Sequence, residues 1–276
     1  MKEITLQQMI EAGAHYGHRT NKWDPKMKPY IFGEKEGIHV IDLRHTFELY
    51  KNACEAIKSI VAAGGKVLFV GTKKQAQNSI TESAQKALMP YVSYRWLGGM
   101  LTNFKTIRSS IDKLKKYEKM IETNQLQKFS KKEIMQMSKE IQKLDRNLGG
   151  LRNMTKAPKA LFIVDVRREH LAIEDAKKLG IPIIAIVDTN ANPTLVDYPI
   201  PANDDAIRSI KLFTDGIAEA CIEGNALYEE TLRTEENDDT KVEKKRSAFK
   251  PKKTIGKKPF KKSDDTRKSD DEETEE

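Results

Sequence analysis

Three short apolar runs constrain this chain more than any other feature: KVLFVG at 66–71, ALFIVD at 160–165 and IPIIAIVD at 181–188. None alternates apolar with polar residues, so each reads as a strand buried on both faces. Helix-like segments separate them, and strands alternating with helices specify a parallel sheet covered on both sides. A Pro-rich turn after the third run carries a further short strand, YPIPAN at 198–203. The expected fold class is α/β, a parallel sheet flanked by helices and doubly wound in the flavodoxin or Rossmann manner.

The connecting segments carry their own signals. Residues 6–12 form a short amphipathic segment, and IHVIDL at 38–43 alternates and β-branches like a strand. Thr46 then stands where a helix cap is needed. Phe47, Tyr50, Cys54, Ile57 and Val61 keep helical spacing until Gly64-Gly65 stops them. A polar helix follows the first apolar run to about Met89, and another spans 168–179 and ends at Gly180. Asn203-Asp204-Asp205 caps a last helix, expected to end near Gly224.

Between the first two apolar runs the period changes. Phe104, Ile107, Ile111 and Leu114 alternate steps of three and four, and Ile134, Met137, Ile141, Leu144 and Leu148 do the same. Each set is a narrow heptad seam flanked by Lys and Glu. A polar break at 123–129 separates them, Ser130 and Glu133 make a capping box, and Gly149-Gly150 marks the end. An antiparallel coiled-coil hairpin at 102–149 is therefore inserted into a discontinuous sheet domain, 1–101 with 150–228. RWLGGMLTNF at 95–104 is the joint. There Trp96 is expected to pack under the hairpin base, Gly98-Gly99 to turn the chain tightly, and Thr102 or Asn103 to cap the first hairpin helix. Arg95 is expected to pair with phosphate or a carboxylate.

Charge narrows the function classes. The 276 residues carry a formal charge of +8 and 33% charged side chains, which points to a polyanion partner. From Glu229 to residue 276 the chain runs acidic, basic and acidic again without aromatic periodicity, and disorder is expected there. No run of about 18 apolar residues exists to span a bilayer. The N-terminus has no secretory pattern, and Cys54 and Cys221 read as buried thiols without zinc spacing, so a cytoplasmic location is expected.

Catalytic chemistry finds little support. FVGTKKQA at 69–76 follows a strand and opens a helix, but it lacks the glycines of a phosphate-binding loop. A nucleotide-binding enzyme or sensor is the alternative that rests on it. Asp188 in IVDTNANP lies at a strand end. Turn chemistry explains it, and metal or ribose binding is its other use. His15 and His18 share one face if helical, which suits either a metal or RNA. No Ser/His/Asp or Cys/His arrangement appears.

The cations say more. Arg19, Lys22, Lys26 and Lys28 interleave with Trp23 and Tyr30 in a Pro-containing loop. Lys73, Lys74, Arg95, Lys105, Arg108, Lys113, Lys115, Lys116, Lys156, Lys159, Arg167 and Arg168 follow along the sheet edge and hairpin. This excess extends over loops as well as helices and suits phosphate contacts, with folded RNA favoured because no DNA-reading motif is present.

EAGAHYGHRTNKWDPKMKPYIFG, IHVIDLRHT, VLFVGTKKQA, RWLGGMLTNFKTI, LFIVDVRREHLAIEDAKKLGIPIIAIVDTNANP and IPANDDAIRSIKLF occur in this order. Together they closely resemble the family of the second protein of the small ribosomal subunit, bacterial type, over about 6–224. The resemblance implies a non-enzymatic structural protein with a hairpin inserted in an α/β sheet. It implies a place between head and body of the small subunit, on its ribosomal RNA and beside other ribosomal proteins. Among these is the large OB-fold-repeat protein that gathers messenger RNA. A membrane role and a homo-oligomer are not implied. No cofactor is required, but the resemblance adds a zinc ion, with His18, Asp188 and Asp204 or Asp205 as its ligands. The charged tail lies outside the pattern.

Overall fold

The computed structural model describes residues 4–123 and 129–248, with side chains as far as Thr234. The three apolar runs form β4 (Val67–Val70), β6 (Ala160–Val164) and β7 (Ile183–Val187), each buried along its whole length. With β5 (Tyr91–Val92) and β8 (Tyr198–Pro201) they make a parallel sheet of order β5-β4-β6-β7-β8. Among the described residues β8 pairs only with β7, and this edge place tolerates Pro199 and Pro201, which have no N–H to donate.

Alternate residues of these strands enter two cores. Val67, Phe69, Phe162, Val164, Ile184 and Ile186 pack on one face against α2 (Leu43–Ala62), α3 (Lys74–Lys86) and α7 (Ile207–Ala248). Leu68, Val70, Leu161, Ile163, Ala185 and Val187 pack on the other, against α6 (His170–Lys178), Trp96 and the hairpin base. Both faces are covered, which is why the strands carry no polar alternation.

The first strand-like segment joins a separate sheet. IHVIDL supplies β3 (Ile38–Ile41), the middle strand of a small antiparallel sheet with β1 (Tyr16–Arg19) and β2 (Ile31–Lys35). Glu36 and Gly37 join β2 to β3 with φ of 54° and 73°, the left-handed pair that a two-residue hairpin requires. Leu43 belongs to α2, and the cap is Asp42, whose Oδ1 accepts from the Arg44 N–H at 3.0 Å. Thr46 is inside the helix instead. Its hydroxyl donates to the Pro201 carbonyl at 2.6 Å and fastens α2 to β8.

The hairpin consists of α4 (Phe104–Glu122) and α5 (Lys131–Leu148), with α1 (Leu6–Glu11) at the chain's start. Residues 124–128 of the expected break lie outside the described residues. The capping box forms as written: Ser130 accepts from the Glu133 N–H, and Glu133 accepts from the Ser130 N–H. Ile107, Ile111 and Leu148 at the root join the sheet core, whereas Ile134, Met137 and Ile141 farther out stay half-buried. Polar contacts hold the outer part: Lys113 pairs with Glu140, and Tyr117 donates to Glu140 at 3.1 Å.

One glycine reading holds and another needs correction. α5 ends at Leu148 with Gly149 at its C-cap, where Gly149-Gly150 marks the end, although Gly149 keeps right-handed geometry with φ of −54°. Gly150 is small because a Cβ there would meet the Tyr91 carbonyl at 2.2 Å. Gly224 does not end α7; a Cβ there would press on Val61 and the Lys58 carbonyl, so its absence lets α2 and α7 touch. α7 then continues to Ala248, past the Glu229 boundary from which disorder is expected. Its Glu, Lys and Arg residues are good helix formers and extend a helix already nucleated. Residues 249–276 lie outside the described residues. One compact unit ends at Leu232 and a second begins at Arg233.

Candidate functional site

Strand order reverses between β4 and β6, and the crevice at their carboxyl ends is where α/β folds place ligands. Thr72 and Lys73 follow β4, Asp165 follows β6, Asp188 follows β7, and Asn203, Asp204 and Asp205 follow β8. Asn203 Oδ1 accepts from the Asp205 and Ala206 N–H groups and turns the chain into α7, leaving both Asp carboxylates free to face inward. Lys73 Nζ stands 2.7 Å from Asp204 Oδ1, 2.6 Å from Asp205 Oδ1 and 3.4 Å from Asp165 Oδ2.

The small sheet closes this end. β1 comes so near that a Cβ on Gly17 would lie 2.6 Å from Thr189 Cγ2, so glycine is required there. The next residue, His18, donates its N–H to Thr189 Oγ1 at 2.8 Å. Its ring puts Nδ1 3.0 Å from Asp188 Oδ2 and Nε2 3.4 Å from Asp205 Oδ2. Asp188 is fixed in turn by the Thr189 N–H at 2.5 Å.

These contacts set the protonation states. Hydrogen bonding to Asp188 holds His18 above its ordinary value against the opposing effect of burial. Burial pushes the Asp204 carboxyl up to about 7, aided by Asp188 and Asp165 and resisted by Lys73. Burial lowers Lys73, but Asp204, Asp205 and Asp165 outweigh it and keep the ammonium charged.

Three carboxylates face the Lys73 ammonium while a fourth, Asp188, faces His18, and Asp204 Oδ2 is buried with no hydrogen-bond partner among the described residues. Ligand atoms of His18, Asp188 and Asp204 lie within 4.8 Å of one another. One imidazole with carboxylates is a donor set that suits zinc, and the surplus negative charge suits a dication. These residues fit the ion that the resemblance implies. His15 stands apart from them: it lies before β1, not on a shared helical face, and its ring packs on Tyr16 at 4.1 Å.

The same crevice is closed to phosphate. Glu169, 2% exposed, accepts from both the Thr72 N–H at 2.9 Å and the Thr72 hydroxyl at 2.5 Å. A buried carboxylate thus stands at the mouth of α3, where a nucleotide phosphate would sit. Arg168 Nε donates to the same hydroxyl at 2.9 Å.

The cations fall into two groups. Arg19, Lys22, Lys26, Lys28, Lys74, Arg95, Lys105, Lys115, Lys116, Lys156, Lys159 and Arg167 are exposed and form no ion pair among the described residues. Four others are engaged within the protein, Arg168 through the Thr72 hydroxyl, which corrects their reading as phosphate ligands. Lys73 is the hub of the acidic cluster. Arg108 donates to the Met154 carbonyl at 2.9 Å and pairs with Asp112, bracing the hairpin root. Lys113 is tied to Glu140 across the hairpin.

At the joint, Trp96 is buried among root residues, and its Nε1 donates to Asp175 Oδ2 at 3.3 Å. Thr102 donates to the other Asp175 oxygen at 3.0 Å, and Asn103 takes the cap position with its Oδ1 accepting from the Thr106 hydroxyl at 2.8 Å and from no helix N–H. Gly99 has φ of 76°, whereas a Cβ on Gly98 would meet open space, so only Gly99 makes the turn. Asp175, Thr189 and Glu169 carry no motif; among them only Glu169, beside the Arg167-Arg168 pair, offers any signal in the sequence.

A doubly wound sheet whose ligand crevice is filled by its own ion pairs, and which carries a braced helical hairpin, defines a scaffold protein of the α/β class. Residues 9–224 match the family described as Ribosomal protein S2, and the chain belongs to that family. It is similar to the small ribosomal subunit protein uS2 of Solidesulfovibrio magneticus, 52% identical over 226 residues, 82% of this chain and 88% of the relative. The uS2 of Maridesulfovibrio salexigens is 50% identical over 244 residues, 88% and 94% of the two chains. That of Syntrophobacter fumaroxidans is 52% identical over 231 residues, 84% of each. The family is structural and not enzymatic.

Proposed function

We propose that the chain is a structural component of the small ribosomal subunit in the bacterial cytoplasm, present as a single copy and supporting translation. It binds small-subunit rRNA and neighbouring ribosomal proteins between head and body. Beside the family membership, one observation supports this reading: twelve of the candidate cations are exposed and unpaired within the described residues while four others are used internally. Unpaired Lys and Arg on loops and hairpin supply phosphate contacts and a salt-dependent affinity. Ile10, Tyr16 and Ile207 line an open cleft of about 800 Å³ beside α1 and offer apolar surface to a protein partner, for which the large OB-fold-repeat protein is our candidate.

His18, Asp188 and Asp204, with Asp205 beside them, would hold a zinc ion. It would serve as a structural clasp between β1 and the strand ends, with no catalytic part.

Sedimentation of a lysate through sucrose at low and high salt tests the main reading. The chain should travel with the small subunit and leave it only at high salt. A chain that stays at the top of the gradient in both conditions refutes it.

A further inference from the structure

Apart from the acidic crevice, three distant segments line an open cavity of about 470 Å³: Asn21 to Pro25, Arg167 after β6, and Asn190 after β7. The Asp24 N–H donates to the Thr189 carbonyl at 2.8 Å and locks the first segment to the third. Trp23 lines the cavity and is 36% exposed, an unusual exposure for so large an apolar side chain. His39 supports its ring at 5.3 Å between centroids, so the indole is held by the small sheet while part of it faces solvent.

The polar lining is as telling. Lys22 and Arg167 are exposed and form no ion pair among the described residues. Asp24 is engaged, its Oδ1 accepting from the Lys26 N–H at 2.9 Å. Asn190 Oδ1 is buried in this region and has no hydrogen-bond partner. An acceptor of this kind is satisfied by a donor from outside the protein, a water or a ligand N–H.

An aromatic surface, two free cations and one orphaned acceptor together match a nucleotide. The ring offers stacking to any base, the cations suit phosphates, and the carboxamide oxygen selects a base with an exocyclic amine. We propose that this cavity takes one unstacked base of RNA that carries an exocyclic amine (adenine, cytosine or guanine), stacked on Trp23, with its phosphates on Lys22 and Arg167. This deepens the RNA-binding reading above and rests on it.

The test uses the full chain with oligoadenylate, oligouridylate, duplex RNA and free AMP, reading affinity and the quenching of indole emission. Trp96 is buried, so Trp23 is the indole that a stacked base can reach. Oligoadenylate should quench and should bind better than oligouridylate. Trp23→Ala should weaken oligoadenylate by about tenfold, within the range one base–aromatic stack supplies, and duplex RNA far less. Trp23→Phe, which keeps a ring, should restore most of the loss, and Asn190→Ala should erase the preference for adenine. Equal losses for single strand and duplex, or an unchanged preference in Asn190→Ala, overturn the proposal. Full competition by AMP would assign the cavity to a free nucleotide and overturns it as an RNA site. If Trp23→Ala changes nothing while the chain still sediments with the small subunit, the cavity proposal falls and the ribosomal reading stands. If no RNA binds at all, both fall.

Discussion

Lys73 and Asp204 meet with 2.7 Å between Nζ and Oδ1, and neither is open to water: Lys73 retains 12% exposure and Asp204 1%. They come from the ends of different strands, and the ammonium also faces Asp165 and Asp205. Removing one member of a buried pair leaves the other uncompensated. Lys73→Met should therefore cost about 3 kcal/mol in urea unfolding at pH 8. The loss should shrink at pH 5, where Asp204, raised to about 7 by burial, takes up a proton and no longer needs the cation.

Zinc affinity should depend steeply on pH. His18 is held above its ordinary value and Asp204 near 7, so protons compete with a metal at both ligands. Binding measured by chelator competition should weaken as pH falls through 7, and His18→Ala should abolish most of it. An affinity that is flat with pH, or indifferent to His18, counts against the site.

Without metal, the same shifts act on stability in a definite direction. Both groups hold a proton more tightly folded than unfolded, so each favours the fold below its unfolded value, 6.5 for His18 and 3.8 for Asp204. That contribution is lost as pH rises through the folded values. Metal-free protein with Asp204→Asn should therefore lose less stability than the parent between pH 4 and pH 8, in the range where Asp204 shifts from 3.8 to about 7.

The paired glycines at the joint should respond differently to substitution. Gly99, with φ of 76°, should cost about 1–2 kcal/mol as Gly99→Val, because a left-handed residue with a branched Cβ is strained. Gly98→Ala meets open space and should be neutral or slightly stabilising, by at most about 1 kcal/mol. Thermal unfolding of the two variants decides this.

Asp175 should matter more than either of its partners. Trp96→Phe removes one donor and should cost about 1 kcal/mol. Asp175→Ala strands the buried indole N–H and the Thr102 hydroxyl together and should cost about 2 kcal/mol. Equal effects in denaturant titration would mean that the carboxylate does not join α6 to the hairpin joint.

Local chemistry was enough to read much of this molecule. KVLFVG, ALFIVD and IPIIAIVD could only be strands covered on both faces, since unbroken apolar runs of that length need burial on two sides. Ser130 and Glu133 announced a helix start because a capping box needs only neighbours in sequence. The heptad spacing of α4 and α5 marked the hairpin for the same reason, and the long motifs marked the family.

What spacing could not reveal was decided by contacts between distant residues. Lys73 looks like any lysine at a helix start until three carboxylates from two other strand ends surround it. Gly224 looks like a helix stop, and Gly17 gives no signal, until the backbones they let approach are in place. IHVIDL reads as a strand but does not say of which sheet, because pairing partners are chosen by the folded chain. Family resemblance named His18, Asp188 and Asp204 or Asp205, whereas the convergence of His18, Asp188 and Asp204 within 4.8 Å depends on β7 and β8 ending at one rim and on the small sheet setting β1 against it. Periodicity and capping are properties of neighbouring residues and are written in the sequence, but electrostatic clusters and close backbone approaches exist only once the chain has folded.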